Sequence, residues 1–359
     1  RHFQNALHLI RPTTPIRAIF HGQNHNQKPS NEKRITYRFW RRYFPIYFVE
    51  KPRRSPATPM FFASSIKKFL CHKSITYYLS ITNYKKNMKQ LKETVAFIKE
   101  QTNNFEAKLG IILGTGLGNL VNDIDIAHTL AYENIPNFPV STVESHKGKL
   151  IFGTLEGKAV VVMQGRFHYY EGYSMKEVTF PVRVMKLLGI ETLFVSNVSG
   201  STNANINKGD LVIIDDHINL HYENPLRGQQ YSEMGPRFPD MIDPYSKRLG
   251  DKAMDIAVKH GYTAHKGVYA SLPGPNLETR AEYVHLNRIG GDIVGMSTVP
   301  EVIVAVHCGL EIFAISVVTD KGFPPEELEP VTLEEVVAVA LATEPKMTAV
   351  IKELIGEVA

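Results

Sequence analysis

The chain has 359 residues, 43% hydrophobic and 21% charged, the balance of a globular protein with room for one large domain or two small ones. It contains no run of 18 apolar residues, which excludes a transmembrane helix. Its two cysteines, Cys71 and Cys308, are far apart and lack a His cluster at ligand spacing, which excludes a disulfide framework and a zinc site and fits a reducing, cytoplasmic compartment.

The net charge of +5 describes neither part of the chain. Residues 1–87 hold 17 of the 41 Lys and Arg but only two of the 36 acids, Glu32 and Glu50, so the first part is strongly basic and the remainder acidic. This segment mixes Arg11-Pro12, Pro15, Gly22, Pro29, Pro52-Arg53-Arg54 and Pro59 with scattered aromatics and shows no sustained helical or strand period. Three readings fit it. An acid-poor, Arg-containing leader matches a transit peptide, although such peptides are usually shorter and richer in Ser. A basic arm with Phe, Tyr and Trp40 has the charge and stacking groups of a nucleic-acid binder. We adopt the third: a basic extension, disordered or an over-extended gene start, with translation from Met88 and with neither nucleic acid nor membrane as partner, because nothing in it has the pattern of a packed unit.

From Met88 the pattern becomes regular. Leu91, Val95 and Ile98 fall on one face of a predicted helix over 88–102. A strand over 109–113 leads into Gly114-Thr115-Gly116-Leu117-Gly118, and two strands over 149–155 and 158–164 are joined at Glu156-Gly157. Then come a helix over 174–188, strands over 192–197 and 211–215, a helix over 245–260, a strand over 267–272 and a helix over 278–288. A strand over 292–296, a helix over 299–307, a strand over 311–318 and a final helix over 332–355 complete the series. Gly189, Gly261, Gly290 and Gly309 follow the helices as stop signals. Alternating strands and helices imply an α/β domain over 88–359 with a largely parallel central sheet and helices on its faces.

Several loops carry chemistry, each with a plainer alternative. Met163-Gln164-Gly165-Arg166-Phe167-His168-Tyr169-Tyr170-Glu171-Gly172-Tyr173 follows the apolar run 159–162, which places a fixed cation and a titratable ring at the sheet's carboxyl edge, where open α/β sheets bind ligands. Arg offers a fork of donors suited to phosphate oxygens and His adds another; the alternative is a surface ion pair. The glycines of 114–118 can turn backbone N–H groups toward an anion, with Thr115 adding a hydroxyl, or simply form a tight strand-to-helix turn. Their spacing misses the dinucleotide fingerprint by one residue. Glu278, in Gly274-Pro275-Asn276-Leu277-Glu278-Thr279, sits where it could complement a helix dipole. Ser297-Thr298 before Val299-Pro300-Glu301 resembles an ordinary helix cap, and Asn197-Val198-Ser199 fits a glycosylation sequon but reads better as a strand-end amide.

Together, and in this order, Gly114–Gly118, Gly165–Tyr173, Asp216-His217-Ile218-Asn219-Leu220, Gly274–Thr279 and Gly295–Val302 resemble the trimeric, inosine/guanosine-type purine nucleoside phosphorylases across essentially all of 88–359. The resemblance implies a single α/β domain with a mixed, largely parallel sheet. It also implies reversible phosphorolysis of purine (deoxy)ribonucleosides, with inorganic phosphate as co-substrate and neither metal nor organic cofactor. Phosphate would be held by Thr115, His146, Arg166, His168, Ser297 and the backbone N–H of Val198. Tyr170 and Met296 would contact the ribose, Tyr269 its 5′ side, and Glu278 the purine N1–H edge. His168, Glu278 and Asp320 would carry the catalysis. Phe238 would close a neighbouring subunit's site, which makes a homotrimer the expected assembly and purine salvage the expected setting.

Three positions depart from the family's usual pattern. Thr319-Asp320-Lys321 stands where 6-oxopurine members commonly have Thr-Asn-Lys, a change that widens acceptance to 6-aminopurines if the carboxyl faces the base. Leu333 replaces a His near the ribose 5′-OH, which points toward methylthioadenosine-type phosphorylases. Asn197-Val198-Ser199-Gly200-Ser201 replaces Asn-Ala-Ala-Gly-Gly and crowds the ribose. Two other classes are carried beside the enzyme: a catalytically weak nucleoside-binding protein, and an oxidoreductase suggested only by Gly114–Gly118.

Overall fold

The computed structural model describes residues 87–140, 148–228 and 231–358. His146 and the basic segment 1–86 lie outside the described residues. Helix α1 spans 87–101, followed by β1 (Leu109–Leu113), β2 (Asp125–Ala131), β3 (Lys149–Leu155) and β4 (Lys158–Gln164). Helix α2 (Phe180–Leu188), β5 (Thr192–Ser201), β6 (Leu211–Asn219), α3 (Lys247–Lys259) and β7 (Ala264–Ser271) come next. The chain ends with α4 (Arg280–Arg288), β8 (Ile293–Gly295), α5 (Val299–His307), β9 (Glu311–Lys321) and α6 (Leu333–Val358).

The strands form one mixed sheet in the order β2-β3-β4-β1-β5-β8-β7-β6-β9, and β9 also pairs with β5, so the last five strands close on themselves. The pairings β1–β4, β1–β5, β5–β9, β6–β7 and β7–β8 are parallel, and β2–β3, β3–β4, β5–β8 and β6–β9 are antiparallel. The period-2 alternation of strands divides the core. Ile112, Met163 and Val195 face a layer containing α1, α2 and α5, whereas Ile111, Leu113 and Phe194 face α3 and α6. No helix among the described residues is long and apolar enough to cross a membrane.

The structure departs from the expected elements in informative places. Gly114–Gly118 leads not to an α-helix but to one 3-10 turn, Asn119–Asp123. The next strand, β2, was not apparent because it is an edge with mostly exposed residues and a bulge between Ile126 and His128. The helix expected over 174–188 breaks at Thr179, since Pro181 has no N–H to donate and suits only a first turn. Strands β5, β6 and β9 run three or four residues further than their apolar cores, through polar residues that pair with one another (Gly200 with Asp320, Ser201 with Lys321).

Phe194, fully buried, packs its ring 5.4 Å from Phe313 between β5 and β9. Phe194→Ala should cost about 3–5 kcal/mol in urea unfolding, the usual penalty for emptying a core aromatic site. Ile126→Thr on the exposed face of β2 should change stability by less than about 0.5 kcal/mol.

Candidate active site

The carboxyl ends of the parallel strands β1, β4, β5 and β9 converge on one cavity of about 160 Å³. Thr115 leaves β1, and Arg166 and His168 leave β4. Val198 lies within β5 and Asp320 within β9, while Met296 and Ser297 follow β8. Glu278 reaches the same cavity from the loop before α4, and Leu333 from the start of α6. Two predicted residues do not line it. Tyr269 is fully buried behind the wall, its hydroxyl accepting from the Ser297 N–H at 3.3 Å. Phe238 is 84% exposed.

Arg166 and His168 share a face because extended backbone alternates its side chains, and Phe167 between them buries into an aromatic cluster with Tyr132 and Phe138. Tyr132 also donates to the Gly165 carbonyl at 2.8 Å, which ties the strand end down. Arg166 is 1% exposed. Its Nε donates to Glu301 Oε1 at 3.1 Å, and its Nη1 to the Ser196 carbonyl at 2.9 Å and to Ser297 Oγ at 3.1 Å. Glu301 was not among the predicted site residues. Its signal was its place in the first turn of α5, which also complements the helix dipole.

His168 is oriented by Glu171, whose Oε1 lies 3.1 Å from Nδ1 and 2.7 Å from the His168 N–H. An ionised carboxylate can only accept, so Nδ1 carries the proton and Nε2 is the ring's other working nitrogen. The ring stacks on Tyr170 at 4.7 Å. Burial pushes the Tyr170 and Tyr269 hydroxyls up to about 12, so both stay neutral. The glycine loop approaches so closely that a Cβ at Gly114 would fall 2.8 Å from the Ser196 carbonyl oxygen. Its exit is fixed by the buried Glu344 of α6, which accepts from the Asn119 N–H and side-chain amide at 2.5 and 2.6 Å.

The opposite end holds two carboxyls. Burial raises both Glu278 and Asp320 above the usual carboxylate range. Thr319 Oγ1 lies 2.9 Å from Asp320 Oδ1, the Tyr283 hydroxyl 3.5 Å from Oδ2, and Tyr283 also bonds Glu278. Glu278 precedes the Thr279 cap of α4, outside the first turn, and the capping box is completed by Glu282 instead. Asn197 is 2% exposed, which rules out the sequon reading. Among the described residues no group of three or more His, Cys, Asp or Glu is placed to hold a metal ion. One end of the cavity therefore offers donors to an anion, and the other offers carboxyls to polar N–H and ring-nitrogen groups.

A model of the phosphorylase superfamily matches residues 108–356. Purine nucleoside phosphorylase 1 of Geobacillus stearothermophilus is 50% identical over 251 residues, 70% of this chain and 91% of that protein. The chain belongs to the purine nucleoside phosphorylase family. The purine nucleoside phosphorylase of Bos taurus is 52% identical over 219 residues, 60% of this chain and 76% of that protein. Among solved structures, isoform 2 of the Schistosoma mansoni enzyme, in complex with cytosine and ribose-1-phosphate, superposes with a TM-score of 0.72 at 40% identity, covering 76% of this chain and 97% of that one.

Removing Glu301 leaves the Arg166 charge buried without its carboxylate. Glu301→Ala should lose about 3–5 kcal/mol in chemical denaturation, the range for breaking a buried pair from one side.

Proposed function

We propose that this cavity catalyses reversible phosphorolysis of purine nucleosides to the free purine and ribose 1-phosphate. The observation that carries the reading is the polarity of the cavity, with Arg166, His168, Thr115 and Ser297 at one end and Glu278 and Asp320 at the other. Phosphate binds at the first end, helped by the Val198 N–H; His146, the further phosphate contact that the family resemblance implies, lies outside the described residues. Tyr170 and Met296 frame the ribose, with Tyr269 behind the wall, and Leu333 presents an apolar surface to its 5′ side. The glycosidic bond stretches first, giving an oxocarbenium-like ribose and an electron-rich purine. Phosphate stabilises that cation and attacks it, so the residues around phosphate have a positioning and electrostatic task. The leaving purine needs its growing charge offset by hydrogen bonding or proton transfer at N7, a role for protonated Asp320, while ionised Glu278 accepts from the N1–H edge. No cofactor enters the scheme; phosphate is the co-substrate.

The assembly we assign is a homotrimer and the setting cytoplasmic purine salvage. Tyr222, Phe238 and Ile242 are 89%, 84% and 80% exposed on one connecting segment, a concentration of apolar surface that supports a subunit contact and the placing of Phe238 over a neighbouring copy's site. For the base, Asp320 supports acceptance of 6-aminopurines. Its ionised carboxylate accepts from an exocyclic amine, its protonated form donates to N7, and burial favours the protonated form.

The purified full chain should release base from inosine, guanosine, adenosine and methylthioadenosine only when phosphate is present. Release from none of the four would leave a nucleoside-binding protein instead. Asp320→Asn should lower the adenosine-to-inosine ratio of kcat/KM by about tenfold, the worth of one good hydrogen bond; an unchanged ratio would mean that Asp320 does not face the base. Because burial raises Glu278, it stays protonated to higher pH than an ordinary carboxylate. The acid limb of kcat/KM for inosine should therefore lie above the usual carboxylate range, and Glu278→Gln should remove that limb.

A further inference from the structure

Between β8 and α5 the backbone does something costly. Thr298 has φ 67° and ψ −58°, and the Val299 N–H bonds the Ser297 carbonyl at 2.7 Å. That is a three-residue turn of the rare, strained kind, and a β-branched residue with positive φ is an outlier anywhere. Such strain persists only where surroundings over-determine it. Here they do. The Ser297 N–H is held by Tyr269, and the Ser297 carbonyl also accepts from Ser271 Oγ at 3.0 Å. Beyond the turn, the Val302 N–H bonds the Thr298 carbonyl at 2.9 Å to start α5.

The Thr298 side chain explains what the turn achieves. It occupies the cap position of α5 but makes no capping bond, so the ordinary-cap reading fails. It is 1% exposed and does not line the cavity. Its Oγ1 instead accepts from the Asn197 side-chain amide at 2.7 Å, lies 3.5 Å from Arg166 Nη1, and is 3.2 Å from Ser297 Oγ. The Asn197 Oδ1 has no hydrogen-bond partner among the described residues, so the link to Thr298 is what orients that amide.

Counting protons gives a direction to the network. A hydroxyl has one proton and two lone pairs. Arg166 Nη1 has two hydrogens, one for the Ser196 carbonyl and one for Ser297 Oγ, so its 3.5 Å approach to Thr298 Oγ1 is at most a shared contact. Asn197 donates to Thr298 Oγ1, and the threonine's own proton turns to Ser297 Oγ, the neighbour able to accept it. Ser297 Oγ then accepts from both Thr298 and Arg166 Nη1, and its proton has nowhere to go but outward, into the cavity. We infer that Thr298 is a positioning residue for anion binding: its strained turn and its hydroxyl together fix Ser297 as a hydrogen-bond donor to phosphate. This rests on the phosphorylase reading of the cavity. It deepens that reading by adding a residue that does not touch the substrate.

The test uses the purified full chain and three variants. Thr298→Val keeps the branched shape and removes the hydroxyl. Thr298→Ser keeps the hydroxyl, and Thr298→Gly relieves the backbone while removing it. Thr298→Val should raise the KM for phosphate about tenfold, the loss of one charge-assisted hydrogen bond, with the KM for inosine within about twofold. Thr298→Ser should restore phosphate KM to within about twofold of the parent. Should Thr298→Val not fold, Thr298→Gly should show the same selective rise. The inference is overturned if the hydroxyl-free variants keep the parent's phosphate KM, if both KM values rise together, or if Thr298→Ser behaves like Thr298→Val. The rise in melting temperature on adding inorganic phosphate gives a second readout, expected to shrink in Thr298→Val and Thr298→Gly and to persist in Thr298→Ser. A parent without turnover would sink the phosphorylase reading, and the melting shifts would still decide the role of Thr298.

Discussion

An arginine buried to 1% exposure is tolerable only if its charge is compensated, and the Arg166–Glu301 pair is the constraint around which the site is built. Desolvating the two ions costs several kcal/mol each before their attraction is counted, so the geometry must be held from several sides. The pair joins the end of β4 to the first turn of α5, and the Ser196 carbonyl brings in β5. It also limits what Arg166 can do. A guanidinium already offset by a carboxylate offers an anion hydrogen bonds without a full unit of net charge. On the proposed reading, phosphate would be held by Arg166 together with the donors around it, Thr115, His168, Ser297 and backbone N–H groups. A site of that kind would orient a nucleophile without quenching it.

The other end of the cavity works by scarcity of protons. Tyr283 has one phenolic hydrogen and two carboxyl neighbours, Glu278 and Asp320. Thr319 likewise has one hydroxyl hydrogen, with the Ser199 carbonyl at 3.2 Å and Asp320 Oδ1 at 2.9 Å both within reach. Two ionised carboxylates would leave acceptors unsatisfied and like charges close together in a partly buried space. Burial moves both groups toward their neutral forms, which eases that conflict. Gly200 makes room for this arrangement: a Cβ there would fall 2.6 Å from Asp320 Oδ2.

What the sequence made legible follows from where apolar burial dominates. Strands β1, β3 and β4 and helix α5 were read at their observed limits, because buried runs bounded by Gly and turn residues leave little choice. The edge strand β2 and the polar ends of β5, β6 and β9 were not, since their pairing depends on partners distant in sequence. The same division holds in the site. Arg166 and His168 declare themselves by sitting just beyond an apolar strand, whereas Glu301 and Thr298 are indistinguishable from ordinary helix-start residues until the fold sets them beside Arg166. Arg183 shows a similar blindness away from the site. It is a helix residue that is buried, stacked 3.9 Å over the Tyr231 ring and 3.4 Å from His307, and no local pattern distinguishes it from a solvated face.

The two ends of the cavity also differ in how they are supported. The donors of the phosphate end sit at strand ends and glycine turns locked by backbone contacts. Gly114 presses on Ser196, Asn119 is tied to Glu344, and Ser297 is bonded at both its N–H and its carbonyl. A changed side chain there disturbs several elements at once. Leu333 is 67% exposed at the first turn of a helix, Val198 is a single branched side chain on a strand, and Glu278 stands on a loop ahead of its helix cap. Leu333 can change with little consequence for packing, whereas Val198 packs against the core and Glu278 is bonded to Tyr283. On the proposed reading, the phosphate end is thus the part of the cavity most tightly bound into the fold. Leu333, one of the departures from the family's usual pattern, lines the cavity from an exposed helix start.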